Sequence, residues 1–216
     1  MSSASTPPLP LLDVVGLTRE PFLRDVRLSL QAGEITVLSG RSGSGKSVLL
    51  RALADLDPTR GSVRLDGEER SDMPAAAWRS QVLLVAQGGP TLPGTVGNDL
   101  DRIAGLARQQ EHATTLTRAA ELAGLSRDAE TAHLSGGEAA GLGLARALAT
   151  SPRVLLLDEP TAAMDPERAA DVERRVADWV RQPGPARTVL WISHDPTLAE
   201  RLGARALDID DLGATD

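Results

Sequence analysis

Short aliphatic segments alternate with stretches of helical periodicity along this chain. Leu11 to Leu17, Val26 to Leu30 and Glu34 to Ser39 read as three successive strands. A glycine-rich turn leads from the third into an apolar-periodic helix from about Lys46 to Leu56. Ser62 to Leu65 and Val82 to Ala86 are further short strands, and the second is apolar throughout, as a buried strand would be. Between Gly88 and Gly97 the residues turn to Gly, Pro and Thr, which marks a loop. Stretches rich in Ala, Arg, Leu and Glu predict helices from about Thr95 to Leu125 and from Gly136 to Thr150. Strand character returns at Arg153 to Leu157 and at Thr188 to Ile192, with a helix between. That helix has Asp165 as N-cap and Pro166 at its first position. Its Val172, Val176 and Val180 lie four apart on one face. Arg205 to Ile209 predicts an edge strand.

Strands alternating with helices point to an α/β fold. The strandless centre, about 88–143, reads as an inserted helical subdomain. With 216 residues the chain suits one such domain from residue 11 to 216. The first ten residues, MSSASTPPLP, are polar and Pro-rich and predict a frayed tail rather than a signal peptide. No apolar run approaches the roughly 20 residues that a membrane span needs.

Composition narrows the chemistry. There is no Cys, which excludes disulfides, thiolate metal sites and thiol catalysis. A net charge of −7 opposes general binding to nucleic acid, whose phosphates demand clustered cations. Lys46 is the only lysine, every other cation being Arg, and its neighbours give it a role. Gly40-Arg41-Ser42-Gly43-Ser44-Gly45-Lys46-Ser47 fits G-x-x-x-x-G-K-[ST], after an apolar strand and at the start of a helix. Glycines let backbone N–H groups turn inward around a phosphate, and the helix N-terminus adds partial positive charge. Lys46 is expected to reach the β- and γ-phosphates of a nucleotide, and the Ser47 hydroxyl to hold Mg²⁺.

A second feature follows another aliphatic run, Val154-Leu155-Leu156-Leu157, which ends in Asp158 and Glu159. By itself this is commonly an acidic turn after a core strand. Coupled to the phosphate loop in this order, it puts two carboxylates at the ligand edge of a parallel sheet. Asp158 is then placed to hold Mg²⁺, and Glu159 to polarise the attacking water.

Leu134-Ser135-Gly136-Gly137-Glu138 resembles the signature motif of ABC ATPases. The resemblance extends to Gln87 at a strand end, to Ala162-Ala163-Met164-Asp165 as a D-loop, and to His194 after a late strand, all in the family's order from Leu11 to Ile209. It implies a P-loop NTPase with a RecA-like core, a small antiparallel β portion and the inserted helical subdomain. It also implies an ATPase of a transporter, dimerising head to tail with itself or a paralogous subunit around two ATP, and driving a multi-span membrane permease from the cytoplasmic face. Each nucleotide would lie between one phosphate loop and Ser135, Gly136 and Gly137 of the other subunit. Gln87 would touch Mg²⁺ or the lytic water, and His194 the γ-phosphate. His112 and His133 receive no role.

The chain departs from that pattern in three places. The family places an aromatic to stack on adenine; here Leu17 is expected at that position, with Phe22 as a substitute, which leaves the choice between ATP and GTP open. Val48 follows Ser47 where the family has a Thr contacting the α-phosphate, which puts one hydrogen bond of about 0.5–1.5 kcal/mol in question. Ala139-Ala140-Gly141 replaces a polar run after the signature. Length and the loop from Gln87 to Val96 are similar to the ATPase subunits of small Fet-type iron exporters. A soluble ABC ATPase serving assembly or repair is the alternative reading.

Overall fold

The computed structural model describes residues 9–88, 91–106 and 124–213. Two sheets form its frame. Strands β1 (Leu12–Arg19) and β2 (Leu23–Leu30) join β4 (Arg60–Leu65) and β5 (Glu68–Glu69) in an antiparallel sheet of order β2-β1-β4-β5. Strands β3 (Ile35–Ser39), β6 (Val82–Val85), β7 (Val154–Asp158), β8 (Thr188–Ile192) and β9 (Arg205–Asp208) form a parallel sheet of order β6-β7-β8-β3-β9. The helices are α1 (Lys46–Leu53), α2 (Ala75–Gln81), α3 (Val96–Leu106), α4 (Gly136–Thr150), α5 (Pro166–Arg181) and α6 (Leu198–Leu202).

The central strands β3, β7 and β8 are largely apolar on both faces because both faces are covered. Leu38, Leu156, Leu190 and Ile192 point into a core shared with α1 and the antiparallel sheet. Val37, Leu155, Leu157, Val189 and Trp191 point the other way, onto α4 and α5. The side-chain period of two thus sends alternate residues of one strand into different cores. A third cluster, with Val96, Leu100, Leu125, Leu142 and Ala145, holds α3 against α4. Beneath it Arg146 of α4 reaches the fully buried Asp99 of α3 at 2.8 Å.

The expected helix from Thr95 to Leu125 forms as α3 up to Leu106; from 107 to 123, His112 included, it lies outside the described residues. The helix α2 escapes sequence reading because it is short and buries only Trp78, whose indole N–H donates to the Leu53 carbonyl at 2.8 Å. No helix among the described residues is long and apolar enough to cross a membrane.

Candidate functional site

Strand register gathers the candidate residues. Val85, Leu157, Trp191 and Val37 are paired in one row across β6, β7, β8 and β3. Counting two residues on from that row gives Gln87, Glu159, Ser193 and Ser39; a third step reaches His194 and Gly40. The phosphate loop, Gln87, Asp158, Glu159 and His194 therefore leave the sheet at the same carboxyl edge, where ligands bind in open α/β sheets.

The phosphate loop has the backbone its glycines allow. Gly40, Gly43 and Gly45 take φ of 136°, 80° and 94°. Gly45 is the N-cap of α1, and a Cβ there would meet both the Cβ and the carbonyl oxygen of Phe22 at 3.2 Å. The hairpin between β1 and β2 thus lies directly on the loop. Lys46 is 6% exposed, and its ammonium donates to the Gly40 and Arg41 carbonyls, both at 2.8 Å. Ammonium charge is so held at the mouth of the loop, while Arg41, Ser42 and Ser47 are exposed and Ser44 is half-buried.

Two nucleotide contacts expected from sequence change here. Leu17 is fully buried, in the core shared by the two sheets, so it has no surface to offer a base. Phe22 at the hairpin is 43% exposed and beside Gly45, which makes it the aromatic next to the loop. Val48 packs its side chain against the same core as Leu17, leaving only its backbone N–H for a phosphate.

Glu159 directly follows the end of β7. Its N–H donates to the Ile192 carbonyl at 3.2 Å, and its own carbonyl accepts from Ala162 at 3.2 Å. That turn puts Glu159 at φ 48°, the left-handed region, which costs a residue with a Cβ about 1–2 kcal/mol. Its carboxylate Oε1 lies 3.1 Å from His194 Nε2. An acid and an imidazole in contact at the sheet edge can share a proton and hold a water for attack. Asp158 and Gln87 add oxygen donors, half-buried and exposed respectively.

The signature segment lies elsewhere in the chain. Ser135 is the N-cap of α4 in a capping box: the Ser135 hydroxyl accepts from the Glu138 N–H, while Glu138 accepts from the Ser135 N–H at 2.9 Å and its hydroxyl at 2.8 Å. The Ser135 backbone N–H, then its hydroxyl, hold the Glu138 carboxyl below its ordinary value. Behind it, a Cβ on Gly137 would stand 2.7 Å from the Ala163 carbonyl oxygen, and one on Gly136 3.5 Å from the Ala163 Cβ. The signature therefore rests on the turn that follows Glu159, with its helix start left exposed at Ser135 and Gly136.

One set of site neighbours has no motif to announce it. Arg201 of α6 binds Glu173 of α5 through two bonds, at 2.7 and 3.2 Å, and Asp195 at 2.8 Å. The spacing Asp195-x-Thr197, with the Thr197 N–H donating to Asp195 Oδ1 at 2.9 Å, is the one local signal for it.

Comparison with known proteins agrees with this geometry. The ABC transporter family model matches residues 23–162. The phosphonates import ATP-binding protein PhnC 1 of Natronomonas pharaonis is 38% identical over 93% of this chain and 90% of its own length. The methionine import ATP-binding protein MetN of Caulobacter vibrioides is 36% identical over 88% of this chain, which spans 59% of that relative. Among solved structures, a dimeric post-hydrolysis state of the ATP-binding cassette MJ0796 bound to ADP and Pi superposes with a TM-score of 0.78 at 24% identity, covering 91% of this chain and 93% of that one. Fold and site define an ATP-hydrolysing cassette of the P-loop type. The chain belongs to the ABC transporter family, as an ATP-binding subunit.

Proposed function

We propose that the chain closes as a head-to-tail dimer around two ATP, with itself or a paralogous subunit, and so drives a separate multi-span permease that imports a small solute. The contact between Glu159 and His194, beside the phosphate loop at one sheet edge, carries the reading. Gly40 to Ser47 cradle the phosphates, with Lys46 supplying charge; Glu159 takes a proton from the attacking water, and His194 holds that carboxylate and the γ-phosphate in line. The start of α4, with Ser135, Gly136 and Gly137, faces the nucleotide of the other subunit. Phe22 stacks on the base in place of Leu17.

Mg²⁺ fits the donor set. Ser47, Asp158 and Gln87 offer the few hard oxygen donors suited to an ion that keeps waters and binds phosphates. When bound it supplies charge neutralisation of the phosphates.

The domain reading extends the fold. Residues 11–216 work as one unit, with the helical insertion at about 88–143 as the part that meets the permease, on the cytoplasmic face of the membrane. The relatives bear import names, for phosphonates and for methionine, and these favour import over the iron export that chain length and the loop from Gln87 suggest. Two unlike cargoes on similar chains support a reading in which the permease chooses the solute.

The test is the Glu159→Gln protein expressed with its native membranes. It should bind ATP, lose about 10²–10⁴-fold in hydrolysis, dimerise with ATP by light scattering, and retain one multi-span protein on purification. Hydrolysis at the wild-type rate would refute the role of Glu159. Recovery of soluble partners alone, from membranes shown to contain their permeases, would refute the transport reading.

A further inference from the structure

We infer that Arg201 is a positioning residue for hydrolysis: it locks the loop that carries His194 and ties it to the helix that follows the D-loop. The inference rests on the proposed role of His194 at the γ-phosphate.

His194 needs such support. Its side chain is 52% exposed, and it lies against Glu159. A half-exposed imidazole on a loop has rotamer freedom to lose before it can hold a phosphate and a carboxylate together. The loop around it is closed by its own flanks. The Asp195 N–H donates to the Ser193 hydroxyl at 3.0 Å, bridging across His194. Asp195 Oδ1 then accepts from the Thr197 N–H at 2.9 Å and from its hydroxyl at 2.7 Å, which fixes the entry into α6.

The other carboxylate oxygen, Oδ2, is taken by Arg201 at 2.8 Å, and the same nitrogen also reaches the Thr197 hydroxyl at 2.5 Å. The remaining guanidinium N–H groups fork onto Glu173. Glu173 is itself only 9% exposed, fixed in the buried face of α5 beside Val172 and Val176. The planar fork of Arg satisfies both carboxylates at once, which a Lys ammonium could not do with the same geometry. The hydroxyl and N–H of Thr197, with Arg201, hold Asp195 down at about 2, so this carboxylate stays ionised across the working pH range.

The same residues share a space with the reacting groups. Glu159, His194, Asp195, Glu173 and Arg201 line one cavity of about 210 Å³, together with Thr161 and Ala162 of the turn. Since α5 starts at Pro166, capped by Asp165 directly after that turn, Arg201 joins the segment following Glu159 to the segment presenting His194. Both sides of the Glu159 and His194 contact are thus referenced to one guanidinium.

Arg201→Ala in the full-length ATPase tests this, measured for ATP affinity, kcat, KM and thermal melting, alone and with His194→Ala. Turnover should fall at least about tenfold, with KM and ATP affinity within about twofold of wild type. In the His194→Ala background the same change should cost nothing more, because Arg201 acts through that imidazole. A general loosening of the fold would instead raise KM and add its loss in both backgrounds. Should Arg201→Ala fail to fold, Asp195→Asn keeps the side-chain shape and should lower kcat in the same pattern. Turnover within twofold of wild type in the folded variant, or full additivity with His194→Ala, would overturn the proposal while leaving the role of His194 intact. Wild-type turnover in His194→Ala itself would overturn both.

Discussion

Arg146→Met tests the buried ion pair that joins the signature helix α4 to α3. Asp99 has 0% of its side chain exposed and Arg146 15%, and a single guanidinium nitrogen reaches both carboxylate oxygens at 2.8 and 3.1 Å. Burial pushes the Asp99 carboxyl up from its ordinary value, and Arg146, with Arg102 further off, pulls back less strongly. Methionine replaces much of the aliphatic stem, so most of the loss is electrostatic. Removing one partner of a buried pair costs about 3–5 kcal/mol, because the other charge stays behind. At roughly 2–4 °C per kcal/mol for a chain of this size, melting should fall by about 6–20 °C.

The pH dependence separates this cause from lost packing. A carboxyl whose folded pKa is raised holds its proton more tightly folded than unfolded, so its contribution to stability is full below the unfolded pKa and lost as pH rises through the folded one. Without Arg146 that folded pKa moves higher still. The variant's deficit against wild type should therefore be largest near pH 7.5 and shrink at about pH 5, where the buried Asp99 can take up a proton and sit neutral. Urea unfolding of both proteins at the two pH values measures it. A deficit under about 1 kcal/mol at pH 7.5, or one that does not change with pH, would refute the reasoning.

Phe22→Ala should weaken ATP binding by about 1–3 kcal/mol, the value of one aromatic stack on a base, with melting unchanged; Leu17→Ala should instead cost about 2–5 kcal/mol of stability, and titration calorimetry with melting separates them. Gly137→Ala puts a methyl 2.7 Å from the Ala163 carbonyl oxygen, so the turn after Glu159 must move; ATP-dependent dimerisation, read by light scattering in the Glu159→Gln background, should fail while the single chain still binds ATP. Glu138→Gln keeps both acceptor contacts to Ser135 and should melt within about 2 °C of wild type, whereas Glu138→Ala keeps the bond from its backbone N–H to the Ser135 hydroxyl but loses the reciprocal half of the capping box and about 1 kcal/mol.

Much of the frame was written in local chemistry. A phosphate loop needs glycines at left-handed positions next to a lysine at a helix start, and those residue types in that order admit few other uses. Val154 to Leu157 declared a strand buried on both faces, and its register then fixed where Asp158 and Glu159 emerge. Asp165 and Pro166 announced α5, and Ser135 with Glu138 the start of α4, because caps act within one turn of chain.

What the tertiary structure decided depends on residues far apart in sequence. Leu17 and Phe22 are both apolar residues near the first hairpin, and no local signal says which is buried; the pairing of β1 with β2 and β4 sends Leu17 into the core and leaves Phe22 beside Gly45. The left-handed backbone of Glu159 follows from its N–H staying bonded to Ile192 while the chain turns back, a constraint set by β8. Glu173, Asp195 and Arg201 are ordinary surface charges in sequence, and α5 and α6 must pack on the same sheet before one guanidinium can bridge both acids. Local patterns record what the backbone needs within a turn or a strand; a shared side-chain partner is recorded only by the packing that brings its contributors together.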